Sequence, residues 1–144
     1  MATLAVGASI ACVGEAIRIW AAGHLNKARE VTSSGPYRWS AHPLYVGSTI
    51  MGVGLAMACA SAAVAALIGV YLTVTLMAAM KSEEAFLRRR FGDRYEQYRR
   101  GAPSAAAGDD RRFTIAQVIA NREHRALIGL TVAVLLLALK ATYN

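Results

Sequence analysis

Two groups of polar side chains interrupt an otherwise apolar chain. The first is Tyr37, His42 and Tyr45, inside the stretch 34–47; the second is the adjacent pair Glu83 and Glu84. Carboxylates can hold a cation or bond sugar hydroxyls, an imidazole can accept a proton, and aromatic faces attract cations. A positively charged sulfonium would suit such a set. Between the two groups, residues 46–80 contain no Asp, Glu, Lys or Arg. If that apolar block folds into a helical hairpin, its two ends meet, and the imidazole and phenols face the carboxylates across the helix pair. A third polar pair, Glu15 and Arg18, lies three residues apart and so shares one helix face. Ionisable groups inside a membrane span are costly unless paired or facing a wet cavity. Two readings stay open for this pair: a polar wall of the ligand site, or an ion pair near the cytoplasmic end with Arg18 snorkelling.

The elements that must position these groups follow from the charge map. The chain has 144 residues, 56% of them hydrophobic, which bounds it to a single domain over 1–144. A helical span needs ~20 apolar residues. The uncharged runs therefore predict an all-α integral membrane bundle of four transmembrane helices, at roughly 2–24, 43–61, 63–82 and 123–141. A cleaved signal would need a basic start, and no Lys or Arg precedes Arg18, so a true span is preferred for the first segment. Gly35-Pro36 reads as a turn. Pro43 suits the first turn of a helix because the N–H it lacks would be unpaired there, which puts His42 at or just before the helix start. Gly52 and Gly54 read as packing residues. Gly47, one turn after Pro43, has no side chain and could leave room for a ligand.

Beyond the hairpin, Leu87, Phe91, Tyr95 and Tyr98 form an apolar stripe on a continuing helix, read as packing, and Gly92 bends or ends that helix. Residues 101–113 read as a surface loop, and 114–122 as a short interfacial helix with Ile115, Val118 and Ile119 on one face. The net charge of +7 does not indicate nucleic acid. Lys27, Arg29 and Arg38 lie after the first span, and eleven basic residues lie between the third and fourth. With four spans both segments fall on one side, the positive-inside pattern, which predicts a cytoplasmic pocket and both termini outside. Basic residues there would also attract anionic headgroups of the bilayer.

Other chemistries lack their signals. No dinucleotide or phosphate-binding glycine motif is present. His24, His42 and His124 have no metal-ligand spacing, so no metal is expected. Cys12 and Cys59 sit inside apolar blocks and read as core thiols. No local pattern supports a Ser nucleophile.

The ordered set of 35-GPY-37, 41-AHPLYVG-47, Glu83-Glu84 and 91-FGDRYEQY-98, with 14-GEAIRIWA-21 before it, resembles the isoprenylcysteine carboxyl methyltransferase and phospholipid methyltransferase family. The resemblance covers about residues 14–100. It implies an integral-membrane enzyme using S-adenosylmethionine at the cytosolic face, with a side opening toward lipid for a hydrophobic or amphiphilic acceptor. It further implies that His42, Pro43, Leu44 and Tyr45 line the cofactor, with Tyr37 beside them; Gly47 is kept as a cofactor-site candidate from its own spacing. Arg29, Glu30, Val31 and Thr32 would approach it from the loop, and Glu83 or Glu84 would bind its polar groups. Glu84, Glu15, Arg18 and His42 are the candidates for catalysis, the acids and the imidazole as acceptors of a proton from an amine. Two departures matter: Ala41 stands where the signature has Arg, and Ala79 stands where the isoprenylcysteine enzymes hold the substrate carboxylate with Arg. The expectation is therefore a lipid-like acceptor such as a phospholipid amine. The alternatives are an isoprenylcysteine-type carboxyl methyltransferase, a nicotinamide-dependent membrane reductase on a related scaffold, and a non-enzymatic membrane protein.

Overall fold

A computed structural model describes residues 2–26, 32, 34–100 and 112–143. The described residues are all-helical. Helix α1 spans Ala2–His24, a 3-10 turn spans Gly35–Arg38, and α2 spans Pro43–Cys59. Then come α3, Ala62–Phe91, α4, Asp93–Arg99, α5, Ile115–Ala120, and α6, His124–Tyr143. Three of these, α1, α3 and α6, are long and apolar enough to cross a membrane; α2 is apolar but has 17 residues.

Local chemistry sets the boundaries. His42 is the N-cap of α2 with non-helical dihedrals, and Pro43 opens the helix where no N–H is needed. The helix closes on Ala60 in the left-handed region (φ 51°), whose N–H bonds Met57 O. Ser61 then caps α3, its hydroxyl accepting from Val64 N. The turn between the two helices is thus two residues long. Gly92, at φ 48°, stops α3 and redirects the chain into α4.

The closest packing is between α1 and α2, which run antiparallel. A methyl group at Gly14 would sit 2.5 Å from Met51 N and 2.6 Å from Gly47 O. One at Gly54 would sit 2.4 Å from Ala11 N and 2.6 Å from Gly7 O. Backbone therefore meets backbone along a row spaced i, i+4, i+7 on both helices. In lipid, where apolar burial does not drive association, this close contact supplies the dispersion energy that does. Ala11, within this row, and Ala21 and Ala22, near the end of α1, are fully buried. By contrast α3 buries no residue, and its apolar side chains, such as Leu67, Val70 and Val74, face outward. It meets α2 where Leu72 lies over Gly52. Between the two helices runs an apolar groove of about 290 Å³, bordered by Thr49, Val53, Ile68, Leu76, Met77 and Met80 among others.

Helix α5 docks on the end of α1. Gln117 Nε2 donates to Leu25 O at 2.6 Å, and Asn121 Nδ2 donates to Ala22 O and Leu25 O at 2.9 Å. These side chains satisfy carbonyls that a helix C-terminus leaves without intrahelical partners. Ile115 and Ile119 remain exposed, as an interfacial helix would leave them.

Candidate functional site

The short turn of the α2–α3 hairpin brings the start of α2 beside α3 some forty residues later, and the two polar groups meet. Tyr45 Oη donates to Glu83 Oε2 at 2.8 Å. His42 Nε2 lies 3.4 Å from Glu84 Oε1, and its Nδ1 lies 3.8 Å from Glu83 Oε2, so the imidazole sits between both carboxylates. The His42 and Tyr45 rings are 5.5 Å apart, tilted by 34°. The side chains of His42, Glu83 and Glu84 keep 16%, 31% and 29% of their surface exposed, so a ligand can reach them.

Helix α4 folds back against this corner, which the stripe on 87–98 did not indicate. Arg99 Nη1 lies 3.9 Å from Glu84 Oε2, and Arg88 Nε lies 3.0 Å from Glu96 Oε1. Tyr95, read in sequence as packing, is fully buried. Burial raises its phenol pKa above the usual value; the negative charge of Glu84 adds to the rise, and Arg99 and Arg88 oppose it. The sign of this role was present in Gly92, which turns the chain back, but its direction was not.

The other expected site residues divide as follows. Pro43 is buried at the first turn of α2, and Leu44 beside it is half-buried. Tyr37 is buried on the 3-10 turn, and Gly35 (φ 57°) presses that turn against the His24 ring. Thr32 is buried, its hydroxyl accepting from Asn26 N at 3.3 Å. Arg29, Glu30 and Val31 lie outside the described residues. The room expected at Gly47 is filled: a side chain there would meet Arg18 Cγ at 2.6 Å and Gly14 O at 2.7 Å, so the glycine admits α1 rather than a ligand.

Glu15 and Arg18 belong to a second cluster, one layer inward. Arg18 Nε donates to Glu123 Oε1 at 2.6 Å, and its Nη1 donates to Ser48 Oγ. Glu15 Oε2 is more distant, 3.5 Å from Arg18 Nε. Glu15, Ser48 and Glu123 are all buried. Arg18 thus points inward and does not snorkel. Glu123 escaped sequence reasoning because it stands alone at the head of the last apolar run, where an acid is usually solvated. Among the described residues no group of three or more His, Cys, Asp and Glu is placed to hold a metal ion.

The model of the phospholipid methyltransferase family matches residues 2–94. A nickel-cobalt-cadmium resistance protein of Alcaligenes xylosoxydans xylosoxydans is 32% identical over 101 residues, 69% of this chain and 46% of its own. A cobalt-zinc-cadmium resistance protein of Cupriavidus metallidurans is 32% identical over the same length, covering 45% of its own chain. The protein-S-isoprenylcysteine O-methyltransferase of Schizosaccharomyces pombe is 35% identical over 79 residues, 55% of this chain and 34% of its own. The chain thus spans less than half the length of these relatives. No solved structure matches it.

Proposed function

The chain belongs to the phospholipid methyltransferase family, and from that premise we propose that it is a membrane methyltransferase that takes its methyl group from S-adenosylmethionine and delivers it to a lipid-like amphiphile. The observation that carries the proposal is the partly open corner where His42 and Tyr45 face Glu83 and Glu84. Its donor set fits the cofactor. Glu83 and Glu84 offer acceptors for hydroxyl and ammonium groups, and the His42 and Tyr45 rings offer faces to a cationic sulfur. Bound there, the cofactor supplies an electrophilic methyl group on positively charged sulfur. Pro43, Leu44, Tyr37 and the 29–32 segment are the remaining candidates to line it.

The chain's own residues then do two things. They hold donor and acceptor in line, which is where most of the rate gain of such a displacement comes from. They also take the proton that an amine acceptor must lose. His42 Nε2 and Glu84 Oε1, 3.4 Å apart, are the pair placed to hold it.

The groove between α2 and α3 supports an amphiphilic acceptor. Thr49, on its border, is one turn after Tyr45, and Met80 is one turn before Glu83 and Glu84. From Ala65 to Met80 the groove rises about 22 Å, longer than the ~15 Å of one leaflet's hydrocarbon. An apolar tail lying in it would bring its head to the acid–imidazole corner. Ala79 offers no cation for a substrate carboxylate, which favours an amine over an isoprenylcysteine acid. We also read α2 as a fourth span. Its 17 residues rise about 25 Å, at the short end of what crosses a bilayer, and the resulting topology puts the corner on the cytoplasmic side.

Titration calorimetry of the purified chain with S-adenosylmethionine tests the reading. Binding is expected, weakened about tenfold or more by Glu83→Gln or His42→Ala. Labelled methyl should pass into phosphatidylethanolamine vesicles. Absence of donor binding by the intact chain sinks the proposal, and a thermal shift with a reduced nicotinamide alone would point to a reductase.

A further inference from the structure

We infer that Arg18 and Glu123 are positioning residues for this corner, and that the turn leading into α6, outside the family match, supplies one end of the device. The inference rests on the methyltransferase reading above. A directed chain of hydrogen bonds leads from Glu123, the residue before α6, to the first turn of α2. Glu123 Oε1 accepts from Arg18 Nε at 2.6 Å, Arg18 Nη1 donates to Ser48 Oγ, and Ser48 Oγ donates to Leu44 O at 2.9 Å. Leu44 stands between Pro43 and Tyr45, in the turn that presents His42 and Tyr45 to the carboxylates.

Three features say that this chain sets a position. First, its members are held from every side. Glu123 is 5% exposed and Ser48 6%, and Arg18 Cγ fills the space left by Gly47. Second, the hydrogen bonds are committed in one direction. The Ser48 proton is used on Leu44 O, so its oxygen is free to accept, and a guanidinium donates from two atoms at fixed spacing. Third, a competing partner is at hand. Glu15 is 2% exposed, its carboxylate has no hydrogen-bond partner among the described residues, and it lies 3.5 Å from Arg18 Nε. Two carboxylates therefore share one guanidinium. Glu123 keeps Arg18 turned toward Ser48, and without its charge Arg18 re-pairs with Glu15 and lets go of Ser48. Buried charges are poor sources of stability, since their desolvation offsets their attraction. Fixing one geometry is what this cluster does well.

The matched family region ends at residue 94. Glu123 lies beyond it, in the connection where Arg122 takes a left-handed φ of 58° just before α6. That turn delivers Glu123 inward to Arg18.

The test uses the full chain in lipid nanodiscs, with Glu123→Gln, Ser48→Ala and the double variant. Thr131→Ala, which removes a hydroxyl bonded to Leu127 O on the exposed side of α6, is the control. Three quantities are read: the Kd for S-adenosylmethionine, the KM for a vesicle acceptor, and the unfolding temperature. Each single variant is expected to weaken donor binding about tenfold, the double variant no more than either single one, because they break one chain. Acceptor KM and unfolding temperature should stay near wild type, the control should bind as wild type, and Glu123→Asp should recover part of the loss. Wild-type donor affinity in both Glu123→Gln and Ser48→Ala overturns the inference, as does a loss that adds in the double variant or follows the unfolding temperature. Ser48→Ala removes one buried oxygen and keeps the test valid should Glu123→Gln fail to fold. A wild-type chain that binds no donor sinks the methyltransferase reading itself, a distinct outcome.

Discussion

At Tyr95 a buried phenol sits among two carboxylates and two guanidinium groups, and its raised pKa has a consequence for stability. In the unfolded chain a tyrosine ionises near pH 10; in the folded chain it holds its proton to higher pH. The contribution of the neutral phenol is therefore fully present below about pH 10 and lost as pH rises toward the folded value, where only the unfolded state has released its proton. Thermal unfolding of the wild type should weaken above pH 10 more steeply than that of Tyr95→Phe, so the two curves converge there. Parallel curves from pH 8 to 11 would mean that the phenol is not held neutral. The same residue shows what spacing alone can miss. The sequence puts Leu87, Phe91 and Tyr95 on one face of a continuing helix and a bend or end at Gly92; α3 does end there, so Tyr95 lies on α4 rather than on the same helix, and the spacing cannot say that the turn returns Tyr95 and Arg99 to the acid pair. His42, Tyr45, Glu83 and Glu84 were legible because they bound an uncharged block, and a two-residue turn leaves them little choice but to meet.

Among the elements, the hairpin is what sequence reveals and the α1–α2 contact is what it obscures. Proline before an apolar run, and a cap after one, mark boundaries by local chemistry. Partner choice in a membrane has no such marker. Along the uncharged runs 62–80 of α3 and 126–139 of α6 no face carries a charge, so hydrophobic periodicity does not point to the interior, and small residues decide who packs closely. Glycines at 7, 14, 47 and 54 do so; Gly69 and Gly129 have nothing near them. This separates otherwise equal substitutions. Gly14→Ala or Gly54→Ala forces a methyl group onto backbone of the opposing helix and should destabilise by about 1–3 kcal/mol. Gly69→Ala should be neutral or stabilise by up to about 1 kcal/mol. Unfolding in mixed micelles measures both, and equal effects at Gly14 and Gly69 would mean that α1 and α2 are not in contact. The sequence also hid the fate of Gly47, because a missing side chain looks the same whether a ligand or an arginine fills it.

For the whole molecule, the bonds between helix ends fix which ends lie together. His42 reaches α3 beyond the membrane-length run, Arg18 reaches the head of α6, and α5 covers the end of α1. The end of α1, the start of α2, the far end of α3 and the start of α6 therefore share one face. Arg38, Arg88, Arg89, Arg90, Arg99, Arg112, Arg122 and Arg125 lie on the segments at that same face. The opposite face carries the Ala60–Ser61 turn and Lys140. We take this basic face as the cytoplasmic one, by the tendency of basic residues to stay on that side, and labelling tests that orientation. In a chain with Cys12→Ser and Cys59→Ala, a cysteine replacing Ala62 should react with a membrane-impermeant maleimide on intact cells. A cysteine replacing Trp39, which is 80% exposed, should react only after the membrane is opened. Labelling of both positions from outside would mean that α2 does not cross, and the acid–imidazole corner would then have no fixed side. The reverse pattern would place the corner outside, away from the cytoplasmic supply of S-adenosylmethionine.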